Sequence, residues 1–205
     1  MHREILNINQ EKQWNLLQNF ATEYLLVGGT SISLQIGHRE SIDFDLCTQK
    51  AIRSDRINTV FYKYKYKIDT VLVDTNEEFT CVVDNVKWTF FSYPFPILGE
   101  VFLGESIHSP DLLGLAAMKA YALGRRGKWK DYVDLFILMK QELSVKEIAK
   151  SAKEIFNGAF SEKMFRQQLL FWDDIDYSEE VVWVGETHTN KEIYTFLEKV
   201  ALELD

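Results

Sequence analysis

Residues 24–46 read YLLVGGTSISLQIGHRESIDFDL, and this stretch decides the fold. It begins with an apolar run that predicts a short buried strand. The adjacent Gly28 and Gly29 then permit a tight turn and let a ligand approach the backbone N–H groups. Thr30 and Ser31 follow at the expected start of a short helix, where free N–H donors and a partial positive charge favour a phosphate group. The stretch therefore predicts a turn that holds phosphate.

Two acidic residues lie near the end of the same stretch. Ser41, Asp43 and Asp45 alternate with apolar residues, and this period of two predicts a half-buried strand with both carboxylates on one face. Their Cα atoms would then be roughly 7 Å apart. Neighbouring carboxylates repel each other, and a divalent cation relieves that repulsion. We therefore expect Asp43 and Asp45 to hold Mg²⁺, although either feature alone is also typical of an ordinary turn or of the solvated face of a strand.

The combination is more specific than its parts. The order hydrophobic-Gly-Gly, helical spacer, Asp-hydrophobic-Asp-hydrophobic resembles the nucleotidyltransferase signature. In this chain its parts are Val27-Gly28-Gly29, a spacer over 30–42, and Asp43-Phe44-Asp45-Leu46. The fuller wording, GGTSISLQIGHRESIDFDL, is similar to the AbiEii/AbiGii toxin branch of that superfamily. The resemblance covers about residues 20–140 and implies an α/β (α+β) fold: a mixed-sheet nucleotidyltransferase-like lobe with helices, followed by a C-terminal helical lobe.

The composition sets limits on the function. The 205 residues are 46% hydrophobic and 14% aromatic, which is enough apolar material for a globular core. The net charge of −8 excludes a general nucleic-acid binder, because phosphate contacts need a local excess of Lys and Arg. Cys47 and Cys81 fit reduced thiols in a cytosolic protein. No signal peptide and no apolar span of about 20 residues is apparent, so we expect a cytoplasmic protein without a membrane partner.

The expected lobes are residues 1–105 and 106–205, since the sequence becomes almost wholly helical from Ser109 onward. Ser109 is the expected N-cap of the first helix of that half, with Pro110 at its first position. The expected helices are 9–22, 31–35, 52–62, 110–123, one opening within 125–136, then 144–157, 161–172 and 188–204. The expected strands are 24–27, 41–46, 68–74, 78–84 and 86–93, with a turn at Asp84-Asn85.

A third carboxylate is missing from its usual place. Nucleotidyltransferases often carry one on a strand that corresponds to 86–93, where this chain offers Thr89 and Ser92. The chain thus supports one Mg²⁺ that arrives with a triphosphate more readily than a full two-metal site. Weaker candidates for a third ligand are Asp69, Asp74 and Asp84.

A lysine lies on the apolar stripe of the helix that ends near Leu123. Lys119 follows Leu112 by seven positions and Leu115 by four, which places it on the buried face. A lysine is costly there unless it snorkels or meets an anion. A triphosphate would supply that anion, and a structural ion pair is the alternative. In the resembled family a lysine on this helix contacts the nucleotide phosphates, and that role maps to Lys119.

The next helix opens with a second family motif. Lys130-Asp131-Tyr-Val-Asp134-Leu resembles the family pattern KD-x-x-D-L, whose first acid acts as a base or orients groups in the site. That role maps to Asp131, and Asp134 could brace Arg125 or Arg126. The basic stretch Arg125–Lys130 is the best cationic patch of this acidic chain and the candidate contact for an RNA acceptor.

Two further segments carry cations. His38-Arg39 is expected in a loop, either facing solvent or contacting phosphate or RNA. Lys63-Tyr-Lys-Tyr-Lys67 alternates cations with aromatic rings. On a strand this pattern favours an edge protected by lysines, with binding of single-stranded RNA as the alternative.

The sequence therefore predicts a Mg²⁺-dependent nucleotidyltransferase whose nucleoside triphosphate lies in a cleft between the lobes. Its nucleotide-binding residues would be Gly28, Gly29, Thr30, Ser31 and Lys119, its metal ligands Asp43 and Asp45, and its catalytic residues Asp43, Asp45, Lys119 and Asp131. The family implies transfer of a nucleotide to RNA, such as a tRNA-like acceptor, by a toxin held in check by a cognate antitoxin. The alternatives are a transferase of the antibiotic-modifying type and a catalytically silent NTP- or partner-binding module. We expect Asp43→Ala and Lys119→Ala each to abolish any toxicity without loss of the fold.

Overall fold

The computed structural model describes residues 1–203. The last two residues of the predicted lobe 106–205, and the end of the helix predicted over 188–204, lie outside the described residues. The chain divides into two compact units. The first contains Met1–Phe95 and Glu100–Pro110, and the second contains Pro96–Gly99 and the chain from Asp111 onward. The predicted α/β class is confirmed, since the first unit contains a mixed sheet with helices and the second is helical.

The first unit is built on a five-stranded sheet. Its strands are β1 (Leu25–Val27), β2 (Asp43–Thr48), β3 (Thr70–Asp74), β4 (Glu78–Val83) and β5 (Val86–Ser92). They lie in the order β1-β2-β5-β4-β3. The β2–β5 pair is parallel and the other pairs are antiparallel. A separate antiparallel pair, β6 (Glu100–Leu103) and β7 (Ile107–Pro110), was not predicted from the sequence.

Five short helical segments complete this unit: a 3-10 turn (Arg3–Ile5), α1 (Ile8–Lys12), α2 (Trp14–Gln18), α3 (Gly28–Ile36) and α4 (Ser54–Lys63). The single helix predicted over 9–22 is wrong, because the chain breaks at Gln13. The buried Gln13 side chain donates to the Val83 carbonyl over 3.0 Å and accepts from Trp88 Nε1 over 2.8 Å. These two bonds satisfy polar groups on the sheet that burial would otherwise leave unpaired.

One face of the sheet is aromatic. Phe44 on β2 and Trp88 on β5 lie with ring centroids 4.7 Å apart, and Phe90 follows on the same face of β5. Phe20 and Phe61 pack onto these rings at 4.8 Å from Phe90 and 5.4 Å from Trp88. Because alternate residues of a strand point to opposite faces, the other face carries Asp43, Asp45, Lys87 and Thr89.

The segment Lys63–Lys67 is neither an edge strand nor any other strand. Lys63 ends α4, and Lys65 takes a left-handed conformation with φ of 62°. Its tyrosines attach the turn to the N-terminal helices: the Tyr64 hydroxyl donates to Asn19 Oδ1, and the Tyr66 hydroxyl donates to the Lys12 carbonyl. The alternating residues 63–67 therefore form a turn, and the hydrogen bonds of its two tyrosines attach that turn to α1 and to the end of α2.

The second unit consists of α5 (Leu112–Leu123), α6 (Trp129–Gln141), α7 (Val145–Phe156), a 3-10 turn (Asn157–Ala159), α8 (Glu162–Gln168) and α9 (Asn190–Leu202). The predicted Ser109 cap of the first helix is wrong, because Ser109 and Pro110 belong to β7. The cap is Asp111, whose side chain accepts from the Gly114 N–H over 2.7 Å. Within residues 1–203, none of the helices combines the length and the apolarity that crossing a membrane requires.

Candidate active site

The paired glycines lie where β1 meets α3, so the strand passes directly into the helix. Gly28 has a φ of 71°, and a Cβ atom there would lie 2.5 Å from Asp45 Oδ2. A Cβ atom at Gly29 would overlap Nη2 of Arg39. A carboxylate and a guanidinium thus lie directly against the glycine backbone, in space that any larger residue would fill.

The two hydroxyl residues after the glycines are buried and already bonded. The Thr30 hydroxyl contacts the Asp43 carbonyl and lies 2.7 Å from the Ser41 hydroxyl oxygen. The Ser31 hydroxyl bonds the Ser109 hydroxyl of β7. These bonds tie the first turn of α3 to β2 and β7. At this turn the backbone N–H groups, more than the hydroxyls, are therefore the groups suited to a phosphate.

The acidic pair lies on the face of β2 opposite the aromatic face. Asp43 is in register with Lys87 of β5, and Asp45 is in register with Thr89. Lys87 Nζ lies 2.6 Å from Asp43 Oδ2, so the neighbouring strand supplies a cation to one of the two acids. Both side chains of this ion pair are partly exposed. The predicted placement of both acids on one face of a strand is confirmed.

Asp43 and Asp45 could hold Mg²⁺ only if water or substrate oxygens complete its coordination. Among residues 1–203, no group of three or more His, Cys, Asp or Glu side chains is arranged to hold a metal ion. Mg²⁺ in nucleotide enzymes is commonly held by one or two carboxylates, with water and substrate phosphates completing the shell. Asp43 and Asp45 fit that donor set, while a site made of protein ligands alone would need a third.

The other acids considered as ligands lie elsewhere. Asp74 ends β3, which β4 and β5 separate from β2. The Asp69 carboxylate accepts from the Asp84 N–H over 2.8 Å and so stabilises the β4–β5 turn. Asp69 therefore has a structural role at the β4–β5 turn, and Asp74 lies on the strand at the far edge of the sheet. The turn predicted at Asp84-Asn85 is confirmed, with left-handed φ values of 47° and 62°.

The loop before β2 is more buried than a solvent-facing loop would be. His38 and Arg39 are 6% and 2% exposed. Arg39 Nη1 donates to the Glu40 carbonyl over 2.9 Å, and Nη2 reaches the Gly29 backbone. The solvent-facing alternative is therefore wrong, because the guanidinium packs against the glycine turn. Its contact with phosphate or RNA stays a prediction.

The second unit contains a buried charge cluster. Lys119 Nζ lies 2.5 Å from Asp131 Oδ1 and 2.7 Å from Asp134 Oδ2. The side chains of these three residues are 7%, 3% and 0% exposed. Arg126 Nε donates to the other Asp131 oxygen over 3.0 Å. Two cations thus balance two carboxylates. Asp134 braces Lys119, because one helical turn places it beside Asp131.

The cations of the basic stretch Arg125–Lys130 interact with acidic side chains and with an aromatic ring. Arg125 lies over the Tyr121 ring, with 3.4 Å from Cζ to the ring centroid. Lys128 and Lys130 both pair with Glu179. The hydrogen bond from Lys128 is the main reason that the pKa of the Glu179 carboxyl is below its ordinary value. The stretch is therefore not a bare cationic surface.

Two neutral groups border these clusters. Burial raises the pKa of the Cys47 thiol, two residues after Asp45, to about 12. Burial is also the main cause that raises the pKa of Tyr132, beside Asp131, to about 12. Both groups remain protonated at neutral pH and do not alter the charge balance of either cluster.

Sequence comparison places the chain in a family. It is 30% identical over 171 residues to the uncharacterized protein aq_aa25 of Aquifex aeolicus (strain VF5), which spans 74% of this chain and 75% of that protein. The two proteins belong to one family. No protein-family model matches the chain.

Solved structures with a similar fold extend the comparison. MenT4, the nucleotidyltransferase toxin Rv2826c of Mycobacterium tuberculosis H37Rv, superposes with a TM-score of 0.59 at 12% identity, over 95% of this chain and 82% of that one. JHP933 of Helicobacter pylori gives 0.57 at 17% identity over 95% and 89%. The antibiotic-resistance factor ANT(2'')-Ia gives 0.54 at 11% identity over 70% and 89%. The chain therefore has a nucleotidyltransferase-like fold.

Lys87 is the residue of this site that the sequence did not single out. The signal was present in Val86-Lys87-Trp88-Thr89, where polar residues alternate with buried ones. Pairing of that strand beside Asp43-Phe44-Asp45 would have placed Lys87 and Thr89 next to the two acids. The alternation alone did not reveal which strand is its neighbour, because pairing partners are set by the tertiary fold.

Proposed function

We propose that the protein is a nucleotidyltransferase, which transfers a nucleoside monophosphate from a nucleoside triphosphate to an acceptor hydroxyl. The main support is the contact of the Asp45 carboxylate with Gly28 at the start of α3. It brings an acidic face that could hold a metal ion within reach of a helix N-terminus whose N–H groups suit phosphates. The fold shared with a nucleotidyltransferase toxin agrees with this proposal.

In the proposed reaction the acceptor oxygen forms a bond to the α-phosphorus. The bond from that phosphorus to the oxygen bridging it to the β-phosphorus breaks, and pyrophosphate leaves. Asp43 and Asp45 would hold Mg²⁺, which when bound neutralises charge on the triphosphate. The N–H groups that follow Gly28 and Gly29 cradle its phosphates, with Thr30 and Ser31 fixing that turn through the bonds described above. Transfer of this kind depends mainly on positioning and charge neutralisation.

We assign Lys119 and Asp131 to the same reaction on the strength of the family resemblance. Lys119 would offset charge that develops on the leaving pyrophosphate. Both oxygens of Asp131 accept from cations, Lys119 and Arg126. This arrangement favours the orienting role of Asp131 over that of a base, since its oxygens are engaged on both sides. The acceptor proton then passes to solvent or to another base.

We further propose an RNA acceptor and a toxin role controlled by an antitoxin, as in the AbiEii/AbiGii branch. The toxin MenT4 shares the fold. The RNA would contact the cations of Arg125–Lys130, in competition with Glu179 for Lys128 and Lys130. A small-molecule acceptor is the second candidate, because an antibiotic-resistance factor also shares the fold. A catalytically silent binding module is the third, since among residues 1–203 no third metal-binding acid accompanies Asp43 and Asp45.

The test is incubation of the full chain with each α-³²P-labelled NTP and Mg²⁺, with total RNA or a panel of hydroxyl-bearing antibiotics as acceptor. Label in RNA, together with released pyrophosphate, is the expected result, and Asp45→Asn should abolish it. Label in the small molecules alone would replace the RNA proposal by the second candidate. Absence of pyrophosphate release with every acceptor, despite nucleotide binding, would establish the silent module.

A further inference from the structure

The charge balance at Asp43 points to a role for Lys87. Lys87 Nζ lies 2.6 Å from Asp43 Oδ2, between strands that are paired in parallel register. The adjacent Trp88 is fully buried in the aromatic face and fixes this part of β5. The sheet therefore fixes the backbone from which the Lys87 side chain extends toward the acidic pair.

Lys87 lies on β5, the strand on which a third carboxylate was looked for, two residues before Thr89. The residues of β5 that stand beside Asp43 and Asp45 are Lys87 and Thr89, neither of which is an acid. The Lys87 ammonium already neutralises part of the charge of Asp43. It thereby lowers the attraction of the acidic pair for a second cation.

We propose that Lys87 takes the place of a second metal ion, so that the Asp43–Asp45 pair binds one divalent cation. Lys87 acts as a positioning residue. It holds the Asp43 carboxylate on the polar face of the sheet, and its positive charge reduces the negative potential that attracts metal ions to the acidic pair. The role of this arrangement in catalysis rests on the proposed transferase activity. Its consequence for metal binding does not, because that consequence follows from the ion pair alone.

The first test is Mn²⁺ binding to the full chain without nucleotide, followed by electron paramagnetic resonance. Wild type should bind one ion per chain at the pair. Lys87→Met should bind that ion about tenfold more tightly, since removal of a nearby positive charge removes its repulsion of the metal. Lys87→Asp should admit a second ion. The matched control is Lys67→Met, at an exposed lysine of the same unit, which should leave Mn²⁺ binding unchanged.

The second test compares turnover with metal affinity. Lys87→Met should lose at least about tenfold in NTP-dependent transfer while Mn²⁺ binds more tightly, a split that mere loss of folding cannot produce. Lys87→Arg should restore part of the activity. Two ions bound to wild type, or an unchanged Mn²⁺ affinity in Lys87→Met, would overturn the inference. Altered Mn²⁺ affinity without transfer by any variant would support it and overturn the proposed transferase.

Discussion

The Asp43 carboxylate and the Lys87 ammonium form an ion pair across the parallel strands β2 and β5, with 2.6 Å between Oδ2 and Nζ. The pair is partly open to solvent, with side-chain exposures of 26% and 38%. Ion pairs of this kind contribute little to folding stability. The main effect of this ion pair is therefore to reduce the net negative charge of the face that carries Asp43 and Asp45.

Asp43→Asn should abolish nucleotidyl transfer with little effect on the fold. Loss of a partly exposed ion pair changes the free energy of unfolding by about 0–1 kcal/mol. Urea denaturation measures the stability, and labelled-NTP transfer measures the activity. Asp74→Asn, at the far edge of the sheet, is the matched control and should retain activity. An active Asp43→Asn enzyme would exclude this residue as a metal ligand.

Lys119→Ala should destabilise the second unit strongly, contrary to the expectation from sequence alone. It would leave Asp131 and Asp134 buried and adjacent, with the partly exposed Arg126 as remaining cation. Removal of one partner of a buried ion pair costs about 3–5 kcal/mol. Circular dichroism during urea denaturation measures this loss.

The triple variant Lys119→Met, Asp131→Asn, Asp134→Asn separates the stabilising role of this cluster from its role in activity. It removes the stranded charges and should recover most of the stability lost in Lys119→Ala, yet remain inactive. If Lys119→Ala unfolds at the wild-type urea concentration, the buried cluster does not exist in solution as described.

Gly28→Ala should destabilise the first unit by about 1–2 kcal/mol, the cost of a left-handed conformation in a residue with a Cβ atom. The same Cβ atom would displace the Asp45 carboxylate, which lies 2.5 Å from its ideal position. Thermal denaturation and Mn²⁺ titration should therefore both change. Gly158→Ala is the control, since a Cβ atom there meets no atom within 4 Å. Equal melting curves for the two variants would contradict this account of the turn.

Cys47 and Cys81 should both resist thiol reagents at pH 8 in the folded protein. Burial raises the pKa of each thiol to about 12, so the reactive thiolate is scarce as well as inaccessible. Both should react with Ellman's reagent once urea unfolds the chain. The fraction labelled should follow the unfolding curve, and rapid labelling of native protein would contradict the burial of β2 and β4.

Glu179→Gln should weaken the fold at neutral pH but not in acid. The hydrogen bond from Lys128 is the first cause of the lowered pKa of Glu179. A lowered folded-state pKa stabilises the protein above the ordinary glutamate value of about 4.3, and this contribution is lost as pH falls through the folded-state value. At pH 7 the loss should be about 0.5 kcal/mol, since the pair is largely exposed. Denaturation at pH 7 and pH 3 checks the difference, and an equal effect at both would refute it.

The fold class and the acidic strand were predictable because they depend on local periodicity. The alternation around Asp43 and Asp45 and the apolar run before Gly28 specify two strands without reference to the rest of the chain. The turn at Asp84-Asn85 was predictable for the same reason, since turn residues carry their own conformational preference.

The errors arose where distant groups decide a local conformation. Gln13 breaks a helical pattern because its amide bonds Val83 and Trp88, which are some 70 residues away in sequence. The tyrosines of Lys63–Lys67 bond the N-terminal helices, which no alternation rule can foresee. Lys87 was not predicted as a site residue, because its position beside Asp43 depends on the pairing of β5 with β2. The predicted roles of Lys119 and Asp131 stay predictions.

The two faces of β5 are encoded by interleaved positions that can evolve separately. Trp88 and Phe90 serve the aromatic face, while Lys87 and Thr89 serve the polar one. Substitutions at positions 87 and 89 can therefore alter the charge beside Asp43 and Asp45 while the aromatic packing on the opposite face stays unchanged. The polar face of this strand can thus diverge among homologues at little cost to folding.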